Sequence, residues 1–339
     1  MIKQIIITLL VLIYLVSCNN SSDNDNKSIK IDTTLNISPT KQLSIKIRQN
    51  PYNPELFKQR AEEFIKENKL DSAINDYELA KKLDTLNQDV YLRLADLYLL
   101  SAKSEKSKEQ LERCLKINPE NTKALINLAR IYLYVEDYKK SNEYLIKAEK
   151  INENNAEIYL LRGLAYQALK DTNKAIENFQ IAVDKNSDYY EPYNILGILF
   201  AAKNDTTAIA YYKNAIKIQP ENPQPRYNLA LFLQEQGFVT RALNEYNFII
   251  TKIDSTYAEA YFNMGYINML YLKKYKKAIS YFSKVINLQY ANVRAYYNRG
   301  YCYEKLNDYK NAKIDYSTAL QISRNYQLAI DGLNRLSKK

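Results

Sequence analysis

Residues 157–187 read EIYLLRGLAYQALKDTNKAIENFQIAVDKNS, and their spacing decides the fold. Over Glu157–Leu169, the side chains of Tyr159, Arg162, Gly163 and Tyr166 stand at helix spacing on one face. Lys170–Asn173 makes a short polar turn. Lys174–Asp184 then places Ala175, Phe179 and Ala182 along a second helix, which Asn186-Ser187 breaks. Small residues at Gly163 and Ala175 let the two helices approach. Tyr159, Tyr166 and Phe179 fill the space between them and reach the next unit. The stretch therefore predicts a packed helical hairpin.

The same register recurs in both directions with a period near 34, from Asn53 to about Arg324. Tyr91, Leu94, Ala95 and Tyr98 lead to Leu111 and Cys114. Leu125, Leu128, Ala129 and Tyr132 lead to Leu145 and Ala148. Tyr193, Leu196 and Gly197 lead to Ala208 and Tyr212, Tyr261, Met264 and Gly265 to Ala278 and Phe282, and Tyr296, Gly300 and Tyr303 to Ala312 and Tyr316. Weaker units begin near Pro54 and Pro223, giving about eight hairpins in all. The prolines from Pro51 to Pro225 fall at or beside predicted helix ends, where the missing N–H is tolerated.

Over roughly four-fifths of the chain this pattern resembles the tetratricopeptide repeat family. The resemblance implies an all-α, right-handed superhelical solenoid of about eight hairpins with a C-terminal capping helix. The chain departs from the family by using Tyr where Trp is common, and the turns near Asn204 and Tyr271 differ by about one residue from the consensus. The expected organisation is residues 1–17 as a signal peptide, 18–38 as a flexible tether, 39–53 as an N-terminal capping helix, 54–324 as the array and 325–339 as a C-terminal capping helix.

The first residues carry one charge, Lys3, and then the apolar run Ile5–Val16, about twelve residues and too short for a comfortable membrane span of ~20. The run ends Leu15-Val16-Ser17-Cys18, which resembles the bacterial lipobox. That resemblance implies cleavage before Cys18 and acylation of Cys18 by palmitate-type chains. A simple signal peptide and an uncleaved anchor are the alternative readings. Two or three acyl chains hold a protein stably on a membrane. Asn19–Asn26 is polar throughout and reads as a solvated tether. By resemblance to lipoprotein sorting rules, Asn19 is not an inner-membrane retention signal, so the outer membrane is expected, with the periplasmic and surface faces both open.

Composition narrows the chemistry. The chain has no histidine, so it holds no His base and no His metal ligand. Its six glycines are too scattered for a phosphate-binding loop. The net charge of +10 is interleaved along the chain and reads as a solvated surface, not a nucleic-acid site. No catalytic residue, metal, cofactor, nucleic acid or small-molecule substrate is expected. Cys114 and Cys302 read as buried small hydrophobes.

Family resemblance implies that the second, fifth, sixth and ninth residues of each first helix face a groove. The sixth position holds Asn127, Asn228, Asn263 and Asn298, with Gln59 and Arg93 earlier. A side-chain amide both donates and accepts, so such a ladder suits an extended peptide backbone. Asn is also the consensus there, so ancestry alone is the second reading. Tyr227, Phe262, Tyr266, Tyr297 and Tyr301 share the predicted surface, either as an aromatic groove or as packing between helices. Leu160, Leu161, Leu164, Ile195 and Ile198 make the middle aliphatic, while Glu55, Lys58, Glu62, Asp96 and Arg130 make the start charged. The expected function is a lipid-anchored scaffold or adaptor of the bacterial cell envelope that binds a partner peptide or protein of the envelope in its groove. The alternative is a self-associating structural subunit of an envelope assembly or secretion machine, joined through the aliphatic patch.

Overall fold

The computed structural model describes residues 37–338. Cys18, the expected signal peptide and all but the end of the expected tether lie outside the described residues. All regular structure among the described residues is helical. No described helix is long and apolar enough to cross a membrane.

The chain divides into two compact units, Met1–Lys185 and Asn186–Lys339. In the first unit α1 (Pro39–Gln49) precedes four hairpins: α2 (Pro54–Lys66) with α3 (Leu70–Leu83), α4 (Gln88–Leu100) with α5 (Ser104–Ile117), α6 (Thr122–Tyr134) with α7 (Tyr138–Ile151), and α8 (Ala156–Ala168) with α9 (Thr172–Lys185). The second unit holds α10 (Tyr190–Ala202) with α11 (Ala208–Ile218), α12 (Pro223–Glu235) with α13 (Val239–Phe248), α14 (Ala258–Leu270) with α15 (Tyr275–Leu288), and α16 (Val293–Lys305) with α17 (Tyr309–Ile322). The last helix, α18 (Gln327–Leu336), follows them. Eight hairpins is the number the period implied.

Among the described residues every turn inside a hairpin except that between α14 and α15 closes in the same way. In the quoted unit Lys170 adopts a left-handed φ of 62°. The Asp171 N–H donates to the Tyr166 carbonyl at 2.9 Å and the Lys170 N–H donates to the Gln167 carbonyl at 3.1 Å. These two bonds satisfy carbonyls that the end of the helix leaves free. Asn68, Ala102, Glu136, Asn204, Gly237, Lys273 and Asn307 hold the equivalent left-handed position.

First helices start on a second recurring signal. Asn53, Asn121, Asn155, Asn222 and Asn292 each accept a backbone N–H of the first turn. Tyr189, Tyr257 and Tyr326 stand at the same position with no side-chain cap bond.

Among the described residues no central core exists. Buried side chains form three successive clusters in the first unit and two in the second, as expected when each hairpin buries its apolar side only against its neighbours. Inside a hairpin one aromatic ring lies on one small residue. A Cβ on Gly163 would sit 2.5 Å from Phe179 Cε1. The ring of Tyr316 is held between Gly300 and Gly332, so α18 covers the last hairpin. Cys114 and Cys302 are fully buried. Burial pushes their thiols up to about 11 and about 12 respectively, so both stay protonated at neutral pH.

The one-residue departures resolve in two ways. In the second unit α13 runs into a wide π turn, Ile249–Ile253, closed by the Asp254 N–H donating to the Ile249 carbonyl at 2.8 Å. An extra residue is thereby taken up inside a helix. Between α14 and α15 the turn itself is longer, and the Lys274 N–H reaches the Asn268 carbonyl at 2.7 Å. The sequence pattern places departures at Asn204 and Tyr271 and gives no sign of the π turn.

Candidate interaction surface

In the first unit a hollow of about 370 Å³ opens on the side of the first helices. It is lined by Glu55, Lys58, Gln59 and Glu62 of α2, Asp89, Leu92 and Arg93 of α4, Lys123 of α6, and Tyr77 of α3. All except Tyr77 are second, fifth, sixth or ninth residues of their helices, so that register faces an open surface. The charges are mostly paired across neighbouring hairpins. Arg93 donates to both Glu62 carboxylate oxygens, at 2.9 and 2.5 Å. Lys123 pairs with Asp96 at 3.4 Å, and Arg130 pairs with Glu157. The Tyr77 hydroxyl also donates to Glu62. Each ninth residue thus meets the second or sixth residue of the next first helix. The pattern was missed from sequence because each contact spans most of a repeat.

Asn127 belongs to this network. It is buried, donates to Asp96 Oδ1 at 3.3 Å and accepts from Arg130 Nη1 at 3.2 Å. Its amide is therefore engaged within the first unit. Leu160 and Leu161 are buried and Leu164 is half-buried, which leaves little aliphatic surface there.

In the second unit the register carries amides and rings. Asn228 is half-buried, accepts from Gln224 Nε2 at 2.9 Å and donates to Asn194 Oδ1 at 3.4 Å. Asn263 donates to the Tyr227 hydroxyl at 3.1 Å. Asn298 is 8% exposed and its amide has no hydrogen-bond partner among the described residues. Three of the predicted amides thus lie on one unit, two of them hydrogen-bonded to the same surface and one with its donors and acceptor unused. Ile195 is buried and Ile198 is exposed.

The predicted aromatic residues divide. Phe262 is buried against Phe282, edge to face at 5.6 Å, with the Arg294 guanidinium over its ring at 4.6 Å. Tyr227 packs on Tyr246 and Tyr257, and Tyr297 packs on Tyr316 and Tyr326. Tyr257 and Tyr326 are the uncapped first-helix starts noted above. A tyrosine there gives up the cap and packs, tilted or edge-on, against the fifth residue of the preceding first helix. Burial raises the phenol pKa of Tyr227 and Tyr297, and the Asn263 amide donating to Tyr227 opposes the rise there. Tyr266 and Tyr301 are half-buried, and Tyr301 lies 5.1 Å beneath the Lys305 ammonium.

Comparison with known proteins points the same way. Tetratricopeptide repeat family models match residues 88–121, 122–155, 156–184 and 258–292, a further such model matches 293–326, and a TPR repeat model matches 198–237. Together they span more than half of the chain. TPR repeat-containing protein MJ1428 of Methanocaldococcus jannaschii is 29% identical over 128 residues, which cover 34% of this chain and 22% of that protein. The match therefore spans about a fifth of that relative's length. Among solved structures, the C-terminal part of a TPR repeat-containing protein from Cytophaga hutchinsonii aligns with a TM-score of 0.62 at 18% identity, covering 71% of this chain and 99% of that one. YrrB, described as a TPR protein with an unusual peptide-binding site, aligns with a TM-score of 0.41 at 17% identity over 67% of this chain and 99% of that one.

Proposed function

Because this chain belongs to the tetratricopeptide repeat family, we propose that it is an adaptor of the bacterial cell envelope. It holds a protein or peptide partner along its first helices and is tethered to the outer membrane by lipid on Cys18. One observation carries the binding half of this reading. An open hollow is lined by the second, fifth, sixth and ninth residues of α2, the second, fifth and sixth of α4 and the second of α6. The same register in the second unit carries half-buried Asn228 and Asn263, buried Asn298, and half-buried Tyr266 and Tyr301. Side-chain amides and half-buried rings on one register suit an extended peptide, whose backbone offers complementary groups at every residue. The tether half rests on the sequence Leu15-Val16-Ser17-Cys18 and the polar stretch after it.

Crosslinking in cells followed by mass spectrometry supplies the partner. Replacing Asn228, Asn263 and Asn298 together by Ala is then expected to weaken capture by about tenfold or more, as loss of two or more hydrogen bonds of ~1 kcal/mol each requires. Undiminished capture removes the amides from the binding surface. Cys18→Ser is expected to release the protein from membranes, and retention in the pellet counts against lipid attachment.

A further inference from the structure

The hairpins of the second unit stack side by side, so the turns inside them share one edge. On that edge the α14/α15 turn is unlike its equivalents. Three second helices begin on an acidic cap, since Asp137, Asp171 and Asp308 each accept a backbone N–H of the helix they begin, while Lys69, Lys103 and Phe238 hold that position with no side-chain cap bond. Asp137 and Asp171 also pair with Lys140 and Lys174, at 3.4 and 3.1 Å. At the start of α15 that position is Lys274, with no side-chain cap bond. Lys273 precedes it, and Lys276 and Lys277 follow in the first turn. All four are exposed, and none has an ion-pair partner among the described residues. The positive end of the α15 dipole thus carries added positive charge where three other second helices carry a carboxylate.

The neighbouring α16/α17 turn adds Lys305 and Lys310, both exposed. The one carboxylate in that turn, Asp308, is occupied by the Asn311 backbone N–H at 3.2 Å and the Asn311 amide at 2.7 Å. An uncompensated cationic edge needs an anionic partner.

Apolar tips stand among these ammonium groups. Leu270, Tyr271 and Leu272 are 43%, 45% and 37% exposed, and Leu306 in the adjacent turn is 37% exposed. The longer turn sets three of these tips, Leu270, Tyr271 and Leu272, in succession. Lys274 reaches back to Asn268, where the equivalent bond of the quoted hairpin runs from Asp171 to Tyr166, so this turn holds one residue more.

We propose that this edge of the second unit docks on an anionic phospholipid surface. Lysines meet the headgroup phosphates while Leu270, Tyr271, Leu272 and Leu306 enter the boundary with the acyl chains, the arrangement by which basic and apolar side chains together hold a protein at a bilayer surface. Exposed leucines beside an interfacial tyrosine favour a bilayer over an acidic protein, which would satisfy the charges and leave the apolar tips uncovered. The inference does not depend on acylation of Cys18 or on what the first helices bind.

The chain has no tryptophan, so Leu272→Trp installs a single reporter. The test uses the full chain with Cys18→Ser in every sample and vesicles of phosphatidylcholine with or without phosphatidylglycerol. On anionic vesicles the emission of the Leu272→Trp variant should shift to the blue and be quenched by brominated acyl chains. Tyr290→Trp, a control at the other end of α15 about 20 Å away by helix rise, should stay unquenched. Changing Lys273, Lys274, Lys276 and Lys277 together to Gln should lower binding to anionic vesicles by at least about tenfold, with most of the difference lost in high salt. Quenching equal at the two reporter positions, quenching that needs no anionic lipid, or undiminished binding of the lysine variant overturns the proposal. So does capture of polyglutamate without any emission change on vesicles. Because every sample shares the same N-terminal segment, failure of the lipid-attachment reading is scored separately, by the release of Cys18→Ser from cell membranes.

Discussion

A Cβ added at Gly163 would lie 2.5 Å from one carbon of the Phe179 ring and 2.7 Å from the next. Alanine is favoured over glycine by ~1 kcal/mol in a helix, but forcing a methyl group into a packed interior costs ~1–3 kcal/mol. Steric cost wins, and Gly163→Ala is expected to lower the urea midpoint. An unchanged or raised midpoint would mean the two helices separate freely. Ala102 presents the converse. It holds a left-handed φ of 56° at an exposed turn, where a side chain is strained and glycine is not. Ala102→Gly should stabilise by up to ~1 kcal/mol in the same measurement. The first of these sites is legible in the sequence, since the spacing sets Gly163 against Phe179. The second is not. Ala102, Glu136, Lys170 and Lys273 have no turn preference of their own and are held left-handed by the backbone bonds that close the helix.

At the scale of the hairpin, two elements far apart in sequence share one device. Arg60 of α2 donates from Nε and Nη2 to both oxygens of Asp76 on α3, each at 2.7 Å, and from Nη1 to Ser44 of α1 at 2.9 Å. Arg299 of α16 donates likewise to Asp315 of α17, each at 2.8 Å, and to Ser283 of α15 at 3.0 Å. One guanidinium thereby ties both helices of a hairpin to the helix before it. The hydrogen bond to the partner Asp raises each arginine's pKa, against the opposing effect of burial. Asp315 is almost fully buried. Asp315→Ala leaves Arg299 partly buried without its counter-charge and should cost ~3–5 kcal/mol. The double change Arg299→Met with Asp315→Leu should recover most of that loss in thermal melts. A double variant as unstable as the single one would show that the pair, not its surroundings, holds the hairpin. The period and the apolar positions were readable because they recur within a helix. Pairs such as Arg299–Asp315 and Arg93–Glu62 were not, since nothing in either residue's local sequence names its partner. The burial of part of the aliphatic patch is hidden from the sequence for the same reason. Leu160 and Leu161 occupy groove positions, yet neighbouring helices cover them.

Over the whole molecule the 32 tyrosines couple stability to alkaline pH. Burial pushes the phenols of Tyr190 and Tyr257 up to about 12, and that of Tyr98 to about 12 with Glu78 adding to the rise. A phenol that is harder to ionise in the folded chain contributes its full stability below an unfolded pKa of ~10. Above that pH the unfolded chain gives up its protons first, so stability falls as pH climbs from about 10 toward about 12. Helical circular dichroism followed with phenolate absorbance should show loss of structure within that window. Tyr257→Phe should make the decline shallower, whereas a flat profile to pH 12 would contradict the burial of these rings. The wide turn at Ile249–Ile253 has a different kind of consequence. It acts as a shim: one surplus codon is swallowed inside the helix, and Asp254 onward re-enters the repeat in step. Deleting Thr251 should convert the turn to ordinary α-helix and leave the protein folded. An array of this build can gain or shed single codons at such places while its later repeats keep their phase.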